Sequence, residues 1–375
     1  MAFNNYTLSL TLLIIAFFIA LTAVSVILSR IIYITKRKNI YDITDAHDLV
    51  SNLIFRMPGI SFFPIMLFVI SICALIATSI HEMENIQIYE PTLIRLPAFI
   101  SGYLLLWGAG VKNDITGLSH KNKIIALFLA ALILIFGDIY INDFNGLFGI
   151  GAIPYWIGML FTIILVMFII STINLIDNTD GPSSGFSIIA FINLGILFFE
   201  RNIFCYTLIC TIFIGILIPF FYFNVFKTSK KIFIGNTGSL TLGYLLAFLG
   251  VRYAMNTDVN YEHLTSPVMI TLSAMFIPMF DTLRVILERI CKGKSPFHPD
   301  RRYIHQKLLD LGLSHCKTMV LLVICAEIFV ILNINLVKIL NINVVFAVDI
   351  ILWLGLVQTL KFLKRKKDKN NCAIV

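Results

Sequence analysis

Charged side chains are scarce in this sequence. Asp, Glu, Lys and Arg make up 13% of the 375 residues, hydrophobic residues make up 58%, and the mean hydropathy is +0.90. A soluble globular domain of ordinary composition carries about twice that charged fraction. The sequence also lacks a long polar stretch, since no segment between its apolar runs exceeds roughly 30 residues. We therefore expect a polytopic membrane protein without a separate soluble domain.

The seven cysteines lack the spacing of a metal site or a disulfide framework. Most of them lie inside apolar runs, so we interpret them as small apolar side chains. The first apolar run has no preceding basic region and no clear cleavage site, and we interpret it as a retained first span rather than a signal peptide.

Apolar runs predict an all-α fold with about eleven transmembrane helices, because about 20 apolar residues cross a bilayer. We expect one integral membrane domain over residues 1–363 and a basic tail over residues 364–375. The predicted spans are 7–33, 59–80, 93–111, 124–142, 153–174, 184–199, 203–226, 238–256, 267–290, 317–337 and 343–363.

The distribution of basic residues predicts the orientation. All but four of the 29 Lys and Arg residues fall in the connections after odd-numbered spans, at the inner span ends, or in the tail. Basic residues mark the cytoplasmic side of membrane proteins. The amino terminus is therefore predicted outside and the carboxyl terminus in the cytoplasm. The net charge of +8 follows from this topology, so nucleic acid is not needed to explain it.

The polar motifs all fall on the predicted cytoplasmic side. The most informative is Asn174–Gly181, which puts Asp177 and Asp180 between two apolar runs. Acids in such a position are costly unless a site uses them, although a polar turn would fit the composition alone. The other motifs are Gly110–Ser119, Gly235–Leu240 and Lys292–His305. Carboxylates, glycines and basic residues at one membrane face suit a divalent cation with a diphosphate.

Several of these residues also have a structural interpretation. The segment Gly235–Ser239 could cap a helix through Thr237 or Ser239, and Lys294 could belong to a solvated loop. Asp281 follows Pro278 inside a span, and a buried acid there favours a function. Asp349 and Glu327 also lie inside spans, but without a motif, and we interpret them as contacts between helices.

Four segments carry a resemblance to a known family. They are Asn174–Gly181, Lys231–Gly243, Pro278–Leu283 and Lys294–Arg301. These segments are similar to the Asn-x-x-Asp-Gly-x-Asp-Gly, Gly-Asp-x-Gly-Ser-Leu and Pro-x-x-Asp-Thr motifs, and to the loop before the His-x-His-His motif, of one family. The chain thus resembles the polyprenyl-phosphate N-acetylhexosamine-1-phosphate transferases, which share a fold with phospho-N-acetylmuramoyl-pentapeptide transferase.

The resemblance implies a reaction. A UDP-N-acetylhexosamine would transfer its sugar-1-phosphate to a polyprenyl phosphate such as undecaprenyl phosphate and release UMP. The product would start the synthesis of a surface polysaccharide or cell-wall polymer. The resemblance also implies Mg²⁺, with Mn²⁺ as an alternative, and a multi-pass location in the cell membrane of a bacterium. A homodimer is left open.

The resemblance assigns roles to residues of this chain. Catalytic roles fall on Asp114, Asp177, Asp180 and His305. The predicted metal ligands are Asp177, Asp180 and Asn236, and Asn174–Gly181 is expected to face Asp114, Asn236 and His305. The predicted substrate-binding residues are Asn174, Asn224, Gly238, Ser239, Asp281, Lys294, Arg301 and Arg302.

The chain departs from the family pattern at four key positions, which are Asn113, Asn236, Tyr303 and Gln306. The family has aspartate at the first two and histidine in the motif at the last two. Asparagine can bind a cation through its carbonyl oxygen but brings no charge, and it cannot act as a general base.

Three hypotheses remain open. The first is an active transferase with an altered site. The second is an impaired homologue that binds lipid phosphate or an assembly partner in polysaccharide synthesis. The third is a transporter or channel, which only the acids inside spans favour.

Overall fold

The computed structural model describes residues 2–38, 58–79, 90–180, 182–226, 234–255, 267–295 and 302–372. These residues are almost entirely helical and contain no β-strand. The helices are α1 Ala2–Lys38, α2 Phe62–Ser79, α3 Glu90–Thr116, α4 His120–Phe136, α5 Tyr155–Asp180, α6 Pro182–Glu200, α7 Phe204–Phe226, α8 Gly235–Ala254, α9 Pro267–Ile290, α10 Ile304–Asp310, α11 His315–Leu336 and α12 Ile342–Cys372.

The all-α polytopic architecture is confirmed, and each of the eleven predicted spans contains a helix. Within the described ranges, nine helical segments are long and apolar enough to cross a membrane. The other two predicted spans correspond to α4, which has 17 residues, and α8, which has 20 and begins with a polar turn. The orientation of the chain in the membrane stays a prediction.

Helix α4 ends earlier than the apolar run that predicted it. The sequence predicted a span to residue 142, whereas the helix stops at Phe136. The backbone N–H of Gly137 donates to carbonyl groups of the last turn, and Asp138 follows with a φ of 56°. This left-handed residue ends the helix, although Ile139 and Ile141 continue the apolar pattern.

The chain divides into two compact units. The first comprises residues Met1–Ile141 and Trp156–Tyr253, and the second comprises Asn142–Tyr155 and Ala254–Val375. The prediction of a single domain over residues 1–363 stays a prediction. The predicted start of the tail at residue 364 falls inside α12, which continues to Cys372.

Helix α8 lies in the interior of the first unit. Nearly all of its residues are buried, from Thr237 to Ala254. Its aromatic residues join a stack, in which the ring of Phe99 on α3 lies 4.4 Å from Phe248 and 5.9 Å from Tyr244. A helix that is apolar all round is typical of such a position. The polar first turn of α8 is therefore held within a packed environment.

In the second unit, α9 packs against α11 and α12, and the short helix α10 packs against α11 and α12. The basic end of α12 is held there by Asp310, because Lys364 Nζ lies 2.7 Å from its carboxylate and Lys367 Nζ lies 2.9 Å from its carbonyl oxygen. Asp349 on α12 accepts a hydrogen bond of 2.7 Å from Asn333 on α11. This contact confirms the interpretation of Asp349 as an inter-helix contact.

Candidate functional site

In the first unit, four helix ends bring the predicted polar residues together. Asp114 lies near the end of α3, Lys123 lies in the first turn of α4, Asn174 and Asp177 lie near the end of α5, and Asn236 lies in the first turn of α8. Hydrogen bonds or electrostatic contacts link these residues to one another. They form one cluster, which we call the α8 cluster.

Asp114 caps the first turn of α8. Its Oδ1 accepts hydrogen bonds from the backbone N–H and the side-chain amide of Asn236, both at 3.0 Å. Its Oδ2 accepts from the backbone N–H of Thr237 at 2.9 Å and from the Thr237 hydroxyl at 2.6 Å. These N–H groups have no partner inside the helix, so a carboxylate here stabilises the helix start.

Asp177 completes this cap from α5. Its side chain is buried, and its Oδ1 accepts a hydrogen bond from the Ser183 hydroxyl. It also accepts a hydrogen bond from the backbone of Gly235. Two carboxylates of the protein thus bind the N–H groups of Gly235, Asn236 and Thr237. The backbone N–H groups of this glycine-rich turn are therefore occupied by carboxylates of the protein in this arrangement.

The amide of Asn236 has a defined direction. Its Nδ2 donates to Asp114, and its Oδ1 accepts a hydrogen bond of 3.2 Å from Asn174 Nδ2. A carboxylate at position 236 would face Asp114 Oδ1 at about the distance of a hydrogen bond and would have no proton to donate. The asparagine that departs from the family pattern therefore fits its surroundings in this chain.

Asn174 connects the first turn of α8 to the ammonium group of Lys123. Its Nδ2 also donates to Ser239 Oγ at 2.7 Å, and its Oδ1 accepts a hydrogen bond from Lys123 Nζ. Ser239 and Asn174 are both buried. The predicted site residues Asn174, Ser239 and Asn236 thus lie together in the α8 cluster. Asn224, near the end of α7, is buried as well, and its contact with substrate stays a prediction.

Lys123 was missed as a site residue by the sequence analysis, which counted it only as a cytoplasmic positive charge. Burial lowers the pKa of Lys123 to about 8, and the neighbouring Asp114 carboxylate opposes this shift. A signal was present in the sequence, because Lys123 lies in the first turn of a helix, where the macrodipole disfavours a cation. A cation at that position therefore indicates a specific partner.

Two glycines allow the close approach of backbones around this turn. A Cβ atom on Gly110 of α3 would lie 2.4 Å from Thr237 Cα, and one on Gly238 would lie 2.2 Å from the Ile234 side chain and 2.9 Å from Gly59 Cα. A larger residue at either position would displace the first turn of α8. Gly238 therefore has a packing role, and its predicted contact with substrate stays a prediction.

Asn113 has a local structural role in this chain. Its Oδ1 accepts a hydrogen bond of 2.8 Å from the backbone N–H of Leu118, across the turn that follows α3. Gly117 in that turn has a φ of 77°. The side chain therefore stabilises the connection between α3 and α4, which sets the positions of Asp114 and Lys123.

Some of the oxygen atoms in the α8 cluster are suitable ligands for a divalent cation. A carboxylate has about four acceptor positions, and those of Asp114 are occupied by four donors. Asp177 and the amide oxygen of Asn236 retain acceptor capacity. Mg²⁺ is commonly held by one or two protein oxygens together with substrate phosphates. Asp180 is the last residue of α5, and its side chain lies outside the described part.

Across the described residues, no group of three His, Cys, Asp or Glu side chains could hold a metal by itself. The α8 cluster instead offers a buried carboxylate, amide oxygens and one ammonium group. Such a set suits a metal that a bound phosphate helps to hold.

The second unit holds another predicted set of residues. Asp281 on α9 accepts hydrogen bonds from Arg284 Nε and Nη2 at 3.1 and 2.5 Å, and from the backbone N–H of Ile304 at 2.8 Å. Arg284 also donates to the carbonyl oxygen of Arg302 at 2.7 Å. Asp281 thus anchors the segment that leads into α10. Its predicted contact with substrate stays a prediction.

His305 lies in this anchored segment and is buried. Its ring stacks on Tyr303 at a centroid distance of 5.6 Å, and the Arg289 guanidinium lies 5.8 Å from the same tyrosine ring. Gln306 Oε1 accepts from the backbone N–H of Tyr303 at 3.1 Å. Tyr303 and Gln306, which depart from the family motif, therefore support the start of α10.

Basic residues surround this second set. Burial and the adjacent Arg284 guanidinium lower the pKa of Lys307 to about 8. Lys294 is exposed just after α9, while Arg301 lies outside the described residues. The predicted approach of His305 to Asn174–Gly181 stays a prediction.

Comparison with known proteins supports the resemblance to a transferase family. Residues 96–254, which contain the whole α8 cluster, match the sequence model of glycosyl transferase family 4. The resemblance predicted from the motifs is therefore confirmed over this part of the chain.

Two relatives show how similar the chain is to individual transferases. The chain is 28% identical over 244 residues to decaprenyl-phosphate N-acetylglucosaminephosphotransferase of Mycobacterium leprae (strain TN), covering 60% of this chain and 61% of that protein. It is 28% identical over 219 residues to undecaprenyl-phosphate alpha-N-acetylglucosaminyl 1-phosphate transferase of Escherichia coli (strain K12), covering 54% and 56%. The matched part thus spans less than two thirds of the length of these relatives.

Proposed function

We propose that this protein transfers an N-acetylhexosamine-1-phosphate from a UDP-sugar to a polyprenyl phosphate and releases UMP. The observation that carries this proposal is the α8 cluster, which gathers Asp177, Asn174, Asn236 and the partly buried cation Lys123 within the family segment 96–254. A carboxylate, amides and an ammonium group at the end of membrane-spanning helices suit a lipid phosphate and a diphosphate.

The names of the relatives indicate the substrates to test first. Those proteins are named for decaprenyl or undecaprenyl phosphate and for N-acetylglucosamine. We therefore propose UDP-N-acetylglucosamine as the first donor and undecaprenyl phosphate as the first acceptor. Since those relatives are bacterial, we propose the cell membrane of a bacterium as the location, and the first membrane step of a polysaccharide or cell-wall polymer as the role.

The proposed reaction is a phosphoryl transfer. An oxygen of the lipid phosphate attacks the β-phosphorus of the UDP-sugar and forms a new phosphoanhydride bond. The bond between that phosphorus and the bridging oxygen breaks, and UMP leaves with the electron pair. A phosphate monoester carries about −1.5 to −2 charges at pH 7, so the attacking oxygen needs no strong general base.

The residues of the α8 cluster have distinct proposed roles. Lys123 binds a phosphate oxygen of the donor and offsets charge as the diphosphate bond breaks. Asn174 orients Lys123, because its Oδ1 accepts from the ammonium group. Asp177 and Asn236 are the described residues whose oxygens fit Mg²⁺, and this ion would supply positive charge next to the diphosphate when bound.

A purified-protein assay tests the proposal. The protein is incubated in detergent with undecaprenyl phosphate, Mg²⁺ and either UDP-N-acetylglucosamine or UDP-N-acetylgalactosamine, and UMP and the lipid product are both measured. We expect UMP and lipid-diphosphosugar in equal amounts with at least one donor, and none without the lipid. If a folded protein releases no UMP above background with either donor, the transferase proposal fails and the impaired homologue replaces it.

A further inference from the structure

The carboxylate of Asp114 is saturated by the protein. Each of its two oxygens accepts two hydrogen bonds, and all four come from Asn236 and Thr237 at distances of 2.6–3.0 Å. A carboxylate has about four acceptor positions in all. A metal ligand needs a free lone pair, and so does a general base. Asp114 could therefore take up either role only if the first turn of α8 moved away.

The surroundings hold that first turn in place. Thr237 is fully buried, and Gly110 on α3 approaches its Cα so closely that a Cβ atom would lie at 2.4 Å. The Thr241 hydroxyl donates to the Thr237 carbonyl oxygen at 2.8 Å and fixes the next turn of α8. The contact between α3 and α8 thus has little room for rearrangement.

A chain of directed hydrogen bonds leads from Asp114 to the ammonium group of Lys123. Asp114 fixes the amide of Asn236, because only Nδ2 can donate to the carboxylate. The Oδ1 of Asn236 then accepts from Asn174 Nδ2, which leaves Asn174 Oδ1 to accept from Lys123. The direction of each bond follows from the one before it.

We propose that Asp114 is a positioning residue, which sets the first turn of α8 and, through Asn236 and Asn174, the ammonium group of Lys123. In this role it neither binds the metal nor takes a proton from the lipid phosphate. The inference rests on the proposed transferase function and deepens it. It also accounts for the asparagine at position 236, because aspartate there could not donate to Asp114.

Thr237 provides the test without altering Asp114. Thr237→Val keeps the shape of the side chain and removes one donor to the carboxylate, while Thr237→Ser keeps the hydroxyl and is the matched control. Loss of one hydrogen bond to a charged group lowers a rate by about tenfold. We expect Thr237→Val to lower kcat by about tenfold, and Thr237→Ser to stay within about twofold of the natural chain.

Asp114→Asn completes a double-mutant cycle. We expect a loss of kcat of about a hundredfold, because two donors then face an amide. Thr237→Val should add less than about threefold to the Asp114→Asn variant, since the two residues act through the same contact. The Mg²⁺ concentration for half-maximal activity should match the natural chain in every variant. The acidic limb of the pH profile of kcat, where a carboxylate acting as general base would titrate, should match it as well.

Backbone hydrogen exchange gives a readout that is independent of activity. We expect the peptide that contains residues 235–239 to exchange faster in both Thr237→Val and Asp114→Asn than in the natural chain. In Thr237→Ser it should exchange at the rate of the natural chain. The inference would be overturned if Thr237→Val were as active as the natural chain while Asp114→Asn were inactive. A tenfold shift in the Mg²⁺ requirement of Asp114→Asn, or a changed acidic limb of its pH profile, would also overturn it. If the natural chain releases no UMP, the proposed function is overturned, and the positioning role of Asp114 is overturned with it.

Discussion

Aspartate at position 236 is expected to destabilise this protein, although it would restore the family pattern. Asn236→Asp replaces the amide donor that lies 3.0 Å from Asp114 Oδ1 with a second carboxylate oxygen. Two charges at that distance repel by about 5–6 kcal/mol at an effective dielectric constant of about 20. Asp114 is partly exposed, so solvent screening reduces the expected loss to about 2–3 kcal/mol.

The loss should depend on pH and on divalent cations. The repulsion requires both carboxylates to be ionised, so the variant should lose stability as the pH rises above the ordinary range of aspartate, about 4. Below this range the pair holds a proton and the loss disappears. A bound Mg²⁺ ion would also relieve the repulsion, because it would bring positive charge to the new carboxylate at position 236.

Thermal unfolding in detergent measures this effect. We expect the unfolding midpoint of Asn236→Asp to lie about 5–10 °C below that of the natural chain at pH 7.5 in a chelator, and to approach it at pH 4.5 or with Mg²⁺. Asn236→Leu is the matched control, because it removes the donor without adding a charge, and its midpoint should not depend on pH in this way. If the two variants respond equally to pH and to Mg²⁺, the reasoning is refuted.

Three further predictions concern other residues. Burial lowers the pKa of Lys123 to about 8, so UMP release should fall as the pH rises through about 8. The Lys123→Arg variant should keep its rate to a higher pH. Identical pH profiles of the two proteins would contradict the role of this ammonium group. Asp177→Asn should raise the Mg²⁺ concentration for half-maximal activity at least tenfold, measured by titration of UMP release, and an unchanged value would exclude Asp177 as a ligand. Asp281→Asn should lower stability by about 2 kcal/mol, because the buried Arg284 then keeps only the partly exposed Glu288 as a charge partner. A thermal midpoint equal to that of the natural chain would contradict this.

The sequence predicted the helical framework well, because hydropathy reports directly on burial in a membrane. Each predicted span contains a helix, and the polar motifs were correctly placed near helix ends. The errors have local causes. Gly137 and the left-handed Asp138 end α4 inside an apolar run, and α10 has only seven residues, too few for a periodic pattern to stand out.

The sequence predicted which residues belong to the candidate site better than it predicted their contacts. Motif positions identified Asn174, Asp177 and Asn236, which the structure joins in the α8 cluster. The partners of Asp114 could not be predicted, because they depend on how closely α3 approaches α8 at Gly110. The sequence pattern indicated Asn236 as a metal ligand that brings no charge. In the structure it is a donor to Asp114 and an acceptor from Asn174.

The central claim is the transfer of a sugar-1-phosphate to a lipid phosphate by the α8 cluster. The most direct measurement follows UMP and lipid-diphosphosugar together, with purified natural chain and the Lys123→Gln variant at pH 7. We predict equal amounts of both products from the natural chain and a rate at least tenfold lower from Lys123→Gln. A folded natural chain that forms neither product, or a variant as active as the natural chain, would contradict the account.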